Sequence, residues 1–478
     1  MVFSSLVFLY VFLALNLLIY CFFARTMKQK NVTMLVFSLV FYAWGGPKYL
    51  LLLLFMTAVC WLFALFIESR RSAGARKWLL ALTCLIMIGL LVWFKYSGLF
   101  LSTLQGLTGF PETIPNIVLP IGISFYTFQL LSYVVDVYRG TVHAQRKYWL
   151  LLLYASLFHQ CIAGPIVRYA DIERELTRRR VSLDEISGGV TRFAVGLAKK
   201  AVLANTCAQL ADQFLPSGAD ALRQTPTADL WLGMMFFALQ IYLDFSAYSD
   251  MAIGMGKMIG FHYKENFNYP YTAVSVTDFW RRWHISLSSF FRDYVYIPLG
   301  GNREGSGRTV FNLFIVWFLT GLWHGASWNF VLWGLYFFLL LLLERSVLSR
   351  ALRAAPRAVS HIYLLLAVLF GWVIFYFESL PEIGAVLAGM FGLNGNGFGT
   401  FKTLVKLENH LFFIVVAVLA AAGVLKKCYE AVRRRCAQRT GLSTVLSIAD
   451  AVSPTLLLIL STLALVGDSY NPFLYFRF

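Results

Sequence analysis

Long apolar runs, separated by short and mostly basic loops, recur along the whole chain. A helix needs about 20 predominantly apolar residues to cross the hydrocarbon core of a bilayer. On this pattern we predict roughly eleven membrane-spanning helices, plus one or two broken elements. The clearest runs are residues 3–23, 78–98, 119–140, 188–215, 229–256, 360–378, 410–427 and 446–466.

Two further apolar runs contain breaks of glycine and proline. Residues 45–47 (Gly-Gly-Pro) interrupt the run at 32–67, and residues 163–165 (Ala-Gly-Pro) end the short run at 148–167. Proline lacks the N–H that a helix interior requires, and irregular backbone at membrane depth is tolerated only where protein buries it or it lines a cavity. We therefore expect a hairpin or a re-entrant pair at the first break and a buried or cavity-lining element at the second.

The central segment, residues 278–329, combines charge and aromatic character. Its first part, residues 278–296, interleaves arginines with tryptophans, phenylalanines and tyrosines, so it is too charged to span and too aromatic for a free loop. This mixture is typical of a re-entrant or interfacial helix. Residues 310–326 and 328–344 follow as two apolar runs, which we predict to be a tight helix pair around His324.

His324 stands at the end of an apolar run of thirteen residues. If this run is a helix that enters from Arg308, His324 lies roughly 24 Å along it, well inside a hydrocarbon core of about 30 Å. A titratable side chain at that depth is costly and by default marks a functional site. The alternative is a histidine satisfied by a hydrogen bond inside the bundle. Gly321 and Gly325 favour function, because they allow a backbone break or the close approach of a ligand.

The composition excludes a soluble domain. Hydrophobic residues make up 59% of the chain and aromatic residues 17%, and the mean hydropathy is +0.67. The net charge is +17, but the basic residues lie in short loops between apolar runs, which indicates cytoplasmic loops rather than a nucleic-acid surface. We predict an all-α, polytopic membrane protein with a single domain over residues 1–478 and its amino terminus outside.

Neither the cysteines nor the acids within apolar runs indicate a metal site. The seven cysteines show no CxxC pair and no regular spacing, so we expect no metal. Asp244 and Asp250 lie in the run at residues 229–256, but a spacing of six residues does not place them squarely on one helical face. We expect Asp244 to pair with an Arg or His of residues 278–292, and it is a candidate substrate-binding residue.

Several long motifs resemble those of one protein family. Residues 280–301 read WRRWHISLSSFFRDYVYIPLGG, and residues 320–334 read TGLWHGASWNFVLWG. Together with residues 119–140, 242–261 and 266–271, they resemble the membrane-bound O-acyltransferase (MBOAT) family. The resemblance is strongest for the branch that O-acetylates alginate or peptidoglycan, and it runs in order from about residue 30 through nearly the whole chain.

The resemblance implies both a fold and a reaction. The fold would have about eleven transmembrane helices, with re-entrant helices around a central funnel. The reaction would be acyl transfer in a bacterial inner membrane, from cytoplasmic acetyl-CoA as substrate, with no bound cofactor, to an acceptor outside. Such a transfer needs a base poised near neutral pH, which suits histidine. We assign His324 as general base and His284 as a second active-site histidine, either a hydrogen-bond donor to the carbonyl or an orienting group, with Asn329 as a further candidate.

Three arginines of the central segment are candidates for binding the acyl donor. Arg281, Arg282 and Arg292 could contact the phosphates of coenzyme A at the cytoplasmic mouth, because cations bind such anions. Their alternative role is to supply the positive charge of an inner loop and to contact lipid headgroups.

The chain ends in an aromatic tail, residues 467–478, whose last six residues read FLYFRF. The tail resembles a Phe-x-Tyr-x-x-Phe motif of related acyltransferases and their small partners, whose tyrosine is proposed to carry the acyl group. Tyr475 is the matching residue. A belt of aromatic side chains at the membrane surface explains the tail equally well.

Two other functions stay open at this point. A D-alanyl transferase of the teichoic-acid type would share the fold and use a carrier-protein thioester as donor. A transporter or flippase for a polysaccharide precursor would also have polar residues at depth and broken helices, but such proteins tend to contain repeated halves, and we find no convincing repeat. If the chain is an acetyltransferase, we expect an extracytoplasmic partner of the SGNH type, because we find no soluble module in it that could reach a polymer; we expect no nucleic acid.

Replacing Tyr475 by phenylalanine tests the acyl relay. If Tyr475 carries the acyl group, Tyr475→Phe abolishes polysaccharide acetylation, because it removes the hydroxyl and keeps the ring. Acetylation of cell-surface polysaccharide, measured at matched membrane abundance, checks this, with Tyr470→Phe in the same tail as the control. Unchanged acetylation in Tyr475→Phe would leave the aromatic belt as the role of the tail.

Overall fold

The computed structural model describes residues 2–110, 113–115, 117–161, 164–436 and 440–467. Every regular element within these residues is helical, so the predicted all-α class is confirmed. Tyr475 lies outside the described residues.

The α-helices are numbered in chain order. The first eleven are α1 (Ala14–Leu18), α2 (Met27–Trp44), α3 (Pro47–Ser69), α4 (Ala73–Thr108), α5 (Ile123–Arg139), α6 (Tyr148–Ser156), α7 (Phe158–Cys161), α8 (Tyr169–Thr177), α9 (Leu183–Ala198), α10 (Asn205–Phe214) and α11 (Ala219–Arg223). The others are α12 (Thr227–Met258), α13 (Val276–Arg282), α14 (Ile285–Phe291), α15 (Ser306–His324), α16 (Trp328–Leu343), α17 (Ser349–Ala354), α18 (Arg357–Tyr376), α19 (Leu380–Met390), α20 (Phe401–Ala421), α21 (Val424–Cys436) and α22 (Thr440–Gly467). Wider π-helical turns occupy Phe8–Leu13, Ile19–Phe23, Lys199–Ala204, Arg292–Tyr296 and Glu344–Leu348, and a 3₁₀ turn occupies Pro270–Thr272.

Seven helices within the described ranges are long and apolar enough to cross a bilayer. The predicted count of about eleven is therefore not confirmed. Helices α5 and α9 have 17 and 16 residues, so each rises only about 25 Å. The seven candidate spans are Pro47–Ser69, Ala73–Thr108, Thr227–Met258, Trp328–Ala354, Arg357–Tyr376, Phe401–Ala421 and Gly441–Gly467.

The breaks predicted from glycine and proline occur in the fold. Helix α2 ends at Trp44 and α3 begins at Pro47, where the missing proline N–H costs nothing because the first turn has no partner for it. Gly46 between them has φ +146°, which few other residues adopt. At the second break, α6 ends at Ser156 and the four-residue α7 follows, whereas Gly164 and Pro165 are not helical.

Packing divides the chain into two compact units. The first comprises Met1–Phe193, Ser249–Glu265 and Ser289–Pro298, and the second comprises Ala194–Tyr248, Asn266–Ser288 and Leu299–Phe478. In the first unit, α3 packs against α4 and α5, and α2 packs against α6. The single domain over residues 1–478 stays a prediction.

The second unit contains the helix pair predicted around His324. Helices α15 and α16 form an antiparallel hairpin, and α13 and α18 pack against α16.

The buried carboxylate of Glu344, just after α16, accepts hydrogen bonds from the N–H groups of Val276 (2.6 Å) and Thr277 (2.9 Å). A negative charge at these free N–H groups stabilises a helix start. Glu344 thereby fixes where α13 begins.

Two glycines allow α15 and α16 to approach until their backbones touch. A Cβ at Gly321 would lie against the carbonyl oxygen of Phe330, and a Cβ at Gly334 would lie against the carbonyl oxygen of Trp317. Backbone atoms cannot move aside as a flexible side chain can. The hairpin therefore requires glycine at both positions.

Replacing Gly321 by alanine tests this close approach. Alanine favours a helix over glycine by about 1 kcal/mol, yet we expect Gly321→Ala to lower the stability by about 1–3 kcal/mol because it overpacks the hairpin. Thermal unfolding in detergent measures the effect. Gly307→Ala, on the same helix with open space around the added Cβ, is the matched control and should not destabilise the protein. An equal effect of both substitutions would contradict the close approach.

Candidate active site

His284 lies at the break between two short helices of the central segment. Helix α13 ends at Arg282 and α14 begins at Ile285, so the predicted re-entrant or interfacial helix is in fact broken at His284. The backbone of His284 has φ +44°. Among the described non-glycine residues, only His284 and Tyr269 have a positive φ. Such conformations are costly and cluster at functional sites, where the surrounding structure enforces them.

The side chain of Asn266 holds this break in place. Its Oδ1 accepts hydrogen bonds from the N–H of Ser286 (3.0 Å) and from the Ser286 hydroxyl (2.8 Å), and it lies 3.3 Å from Nδ1 of His284. The backbone carbonyl of Asn266 accepts the N–H of Ile285 at 2.9 Å. Asn266 therefore satisfies polar groups that the broken helix leaves without helical partners.

These contacts determine the protonation of the His284 ring. Because the Ser286 N–H can only donate, the atom of Asn266 that it faces is the oxygen, and the neighbouring Nδ1 of His284 must donate to that oxygen. Burial lowers the pKa of His284, which lies outside the seven candidate spans, to about 3, so the ring is neutral. Its Nε2 then carries a lone pair. This atom is buried and has no hydrogen-bond partner among the described residues.

Aromatic rings surround His284 on the remaining sides. The ring centroid of Phe245 lies 4.8 Å from that of the imidazole, that of Trp323 lies 5.4 Å away, and that of Phe267 lies 6.3 Å away. An apolar enclosure of this kind excludes water and strengthens the electrostatic interactions inside it.

His324 is the last residue of α15, which ends two residues before the predicted end of its apolar run at residue 326. Its ring contacts Trp333 at 4.9 Å, Trp323 at 5.0 Å and Phe375 at 5.4 Å between centroids. A Cβ on Gly325 would overlap the ring of Phe330, so the chain turns tightly after His324. His324 is 8% exposed.

The indole of Trp323 contacts both histidine rings. The same indole therefore packs against both His284 and His324, the two residues predicted to carry the chemistry. Asn329, the further candidate, instead connects two helices. Its side-chain N–H group donates to the carbonyls of Ile374 and Phe375, each at 3.2 Å, and so joins the start of α16 to the end of α18.

Asp244 has a different partner from the one expected. Its carboxylate lies 2.9 Å from Nζ of Lys200, and both side chains are 2% exposed. The expected partner, an Arg or His of residues 278–292, was wrong, because packing places Lys200, in the π-helical turn Lys199–Ala204, beside this carboxylate. Asp244 is nevertheless adjacent in sequence to Phe245, whose ring packs on His284.

The three arginines proposed for donor binding differ in their surroundings. Arg282 pairs with Asp278 at 3.0 Å, and Arg292 pairs with Asp293 at 2.6 Å. Arg281 is exposed and has no ion pair with a described residue. Arg292 shares Asp293 with Arg168, which lies 2.8 Å from the same carboxylate, whereas Arg281 has no carboxylate partner among the described residues. Across the described ranges, the chain has no group of three or more His, Cys, Asp or Glu residues that could hold a metal ion.

Comparison with known proteins assigns the family. The pattern of the MBOAT, membrane-bound O-acyltransferase family matches residues 148–381. The chain is 37% identical to the probable alginate O-acetylase AlgI of Azotobacter vinelandii over 100% of both chains. The chain belongs to the membrane-bound O-acyltransferase family. This MBOAT protein is thus an acyltransferase and a multi-pass membrane protein.

Two other relatives bear on the acyl group and its acceptor. The MBOAT chain is 30% identical to the peptidoglycan O-acetyltransferase of Helicobacter pylori, over 100% of this chain and 98% of the relative. It is 27% identical to the teichoic acid D-alanyltransferase of Bacillus subtilis, over 46% of this chain and 58% of the relative.

Three residues of the MBOAT site were not singled out from the sequence. Asn266 lies in the motif NFNYPY, and Ser286 lies two residues after His284, but nothing local indicates that they bind each other. Lys200 had the clearest signal, because it and Lys199 interrupt an apolar stretch that spans residues 193–204. A charge in such a stretch is costly unless it is paired.

Replacing Asn266 by aspartate tests the proposed control over His284. A carboxylate beside Nδ1 stabilises the protonated ring, so the pKa of His284 rises and the acidic limb of the pH–rate profile for acyl transfer moves to higher pH. Asn268→Asp, an exposed position in the same motif, is the matched control and should leave the profile unchanged. A lower rate with the same pH dependence would mean that Asn266 supports only the local fold.

Proposed function

We propose that this acyltransferase moves an acetyl group from cytoplasmic acetyl-CoA to an acceptor hydroxyl, for the O-acetylation of a polysaccharide outside the membrane. The observation that carries the proposal is the convergence of His284 and His324 on Trp323 within an apolar enclosure. The full-length similarity to an alginate O-acetylase and a peptidoglycan O-acetyltransferase supports the acetyl group and the polysaccharide.

His324 acts as the general base in the proposed reaction. It takes the proton of the acceptor hydroxyl as the oxygen attacks the thioester carbonyl, and a tetrahedral intermediate forms. Collapse of that intermediate breaks the carbon–sulfur bond, forms the acetyl ester, and returns the proton to the thiol of coenzyme A. Histidine suits both transfers because its ordinary pKa lies near the working pH.

His284 has the orienting role rather than the donor role. Its Nδ1–H is used by Asn266, so in the neutral ring Nε2 accepts a hydrogen bond and cannot donate one to a carbonyl. A donor group of the substrate other than the hydroxyl that His324 deprotonates would fill this acceptor and hold the substrate in a fixed direction. Orientation of this kind lowers the barrier because the reacting atoms begin near their final geometry.

On the donor side, Arg281 is the strongest candidate to bind the phosphates of coenzyme A. It is exposed and has no carboxylate partner among the described residues, whereas Arg282 and Arg292 are both in ion pairs. A partner of the SGNH type outside the membrane would complete the transfer to the polymer. In this scheme the protein lies in a bacterial inner membrane with its amino terminus outside.

D-alanyl transfer is the second candidate, favoured by the similarity to a teichoic acid D-alanyltransferase over about half the chain. An assay of the purified protein distinguishes the two. Release of free thiol from acetyl-CoA supports acetyl transfer, and turnover of a D-alanylated carrier protein alone supports the second candidate.

Alanine substitutions of the two histidines test the proposal. His324→Ala should lower acetyl transfer by about 10²–10⁴-fold, the range expected for loss of a general base. His284→Ala should cause a smaller loss, because its role is orientation. Surface-polysaccharide acetylation at matched membrane abundance measures both, and His410→Ala, a partly exposed histidine on α20, is the control. Full acetylation in His324→Ala would overturn the mechanism and favour a transporter.

A further inference from the structure

The second unit contains a cavity of about 740 Å³ that the proposed reaction does not use. It lies among α12, the turn Pro270–Thr272, α18 and the end of α20, and its lining residues include neither His284 nor His324. The volume falls within the range of about 300–1,000 Å³ that is typical of small-molecule sites.

The cavity is a long slot that follows helix α18. Its lining residues on α18 begin at Arg357, continue through His361 and Leu365 at helical spacing, and end at Trp372. Fifteen residues of helix rise about 22 Å. One leaflet of hydrocarbon is about 15 Å thick, half of a core of about 30 Å. The slot is therefore long enough to hold an extended acyl chain along the helix.

The chemistry of the slot matches an anionic amphiphile. Nearly all of its wall is apolar, formed by side chains such as Trp231, Met235 and Leu365, which suits an alkyl chain better than the amide-rich arm of coenzyme A. Arg357 lies at the end of the slot where α18 begins; it is exposed and forms no ion pair with a described residue. His361 donates from Nδ1 to the carbonyl of Ala273 at 2.9 Å, which fixes its ring in the wall.

The slot also lies on a candidate span, where lipid is the surrounding solvent. Leu365 and Leu366 line the slot and are each 39% exposed on α18, so this part of the wall reaches the surface that faces hydrocarbon. Arg345, Arg350 and Arg353 precede Arg357 in a basic stretch. Such clusters beside transmembrane helices attract anionic lipids of the cytoplasmic leaflet.

We propose that this slot binds one anionic phospholipid, with an acyl chain along α18 and the phosphate at Arg357. The proposal is independent of the acyl-transfer mechanism, because its test measures lipid retention rather than activity. No residue of the proposed active site needs to change.

Native mass spectrometry of the full chain in non-ionic detergent tests the lipid site. The protein is equilibrated with dioleoyl phosphatidylglycerol or with dioleoyl phosphatidylcholine, and we expect one phosphatidylglycerol to be retained in preference. Arg357→Gln should reduce that retention by about fivefold. Arg353→Gln removes an exposed charge from the same stretch, at a position that does not line the slot, and is the matched control.

Further variants and a displacement experiment determine what occupies the slot. Leu365→Trp narrows the slot and should reduce phosphatidylglycerol retention even though Arg357 is present. If Leu365→Trp does not fold, Val418→Phe narrows the slot from α20 and tests the same point. Equal retention of the two lipids, or equal effects of Arg357→Gln and Arg353→Gln, would overturn the proposal. Displacement of the lipid by acetyl-CoA would instead identify the slot as the path of the acyl donor.

Discussion

Because the interior of a protein supplies no bulk water, the polar groups buried in it must be satisfied by the protein itself. The second unit shows three solutions to this constraint. The oxygen of Asn266 satisfies the backbone at a broken helix, Lys200 and Asp244 neutralise each other, and Glu344 accepts the free N–H groups at the start of α13. Each solution also fixes the position of an element that carries or contacts His284.

Against this background the unpaired Nε2 of His284 has a clear meaning. A lone pair that is buried without a donor costs free energy. In the proposed reaction this cost is recovered when a second donor group of the substrate binds Nε2. The neutral ring is also consistent with its aromatic surroundings, since an imidazolium enclosed there would lack a counter-ion among the described contacts.

Local features of the sequence predicted much of this arrangement. The break at residues 45–47 followed from the backbone chemistry of glycine and proline, and the α15–α16 pair followed from two apolar runs around His324. The resemblance to the MBOAT motifs supplied the pairing of His284 with His324, which spacing alone could not give. The count of about eleven spans is not confirmed, because helices such as α5 are shorter than the candidate spans.

What the sequence could not predict are the partners that folding brings together. Asp244 has several bases within reach of a plausible fold, and only the packed structure selects Lys200. Asn266 gives no sign that its oxygen will serve two residues eighteen or more positions away. The tautomer of His284, and with it the choice between donating and orienting, depends on that contact.

Helix α16 is tied at both ends, by Asn329 to the carbonyl end of α18 and by Glu344 to the amino end of α13. It therefore acts as a spacer of fixed length. One residue more or fewer within it would turn everything beyond that point by about 100° and shift it by about 1.5 Å, so both ties could not be kept. We therefore expect the length of α16 to be held constant among relatives more strictly than most of its side chains.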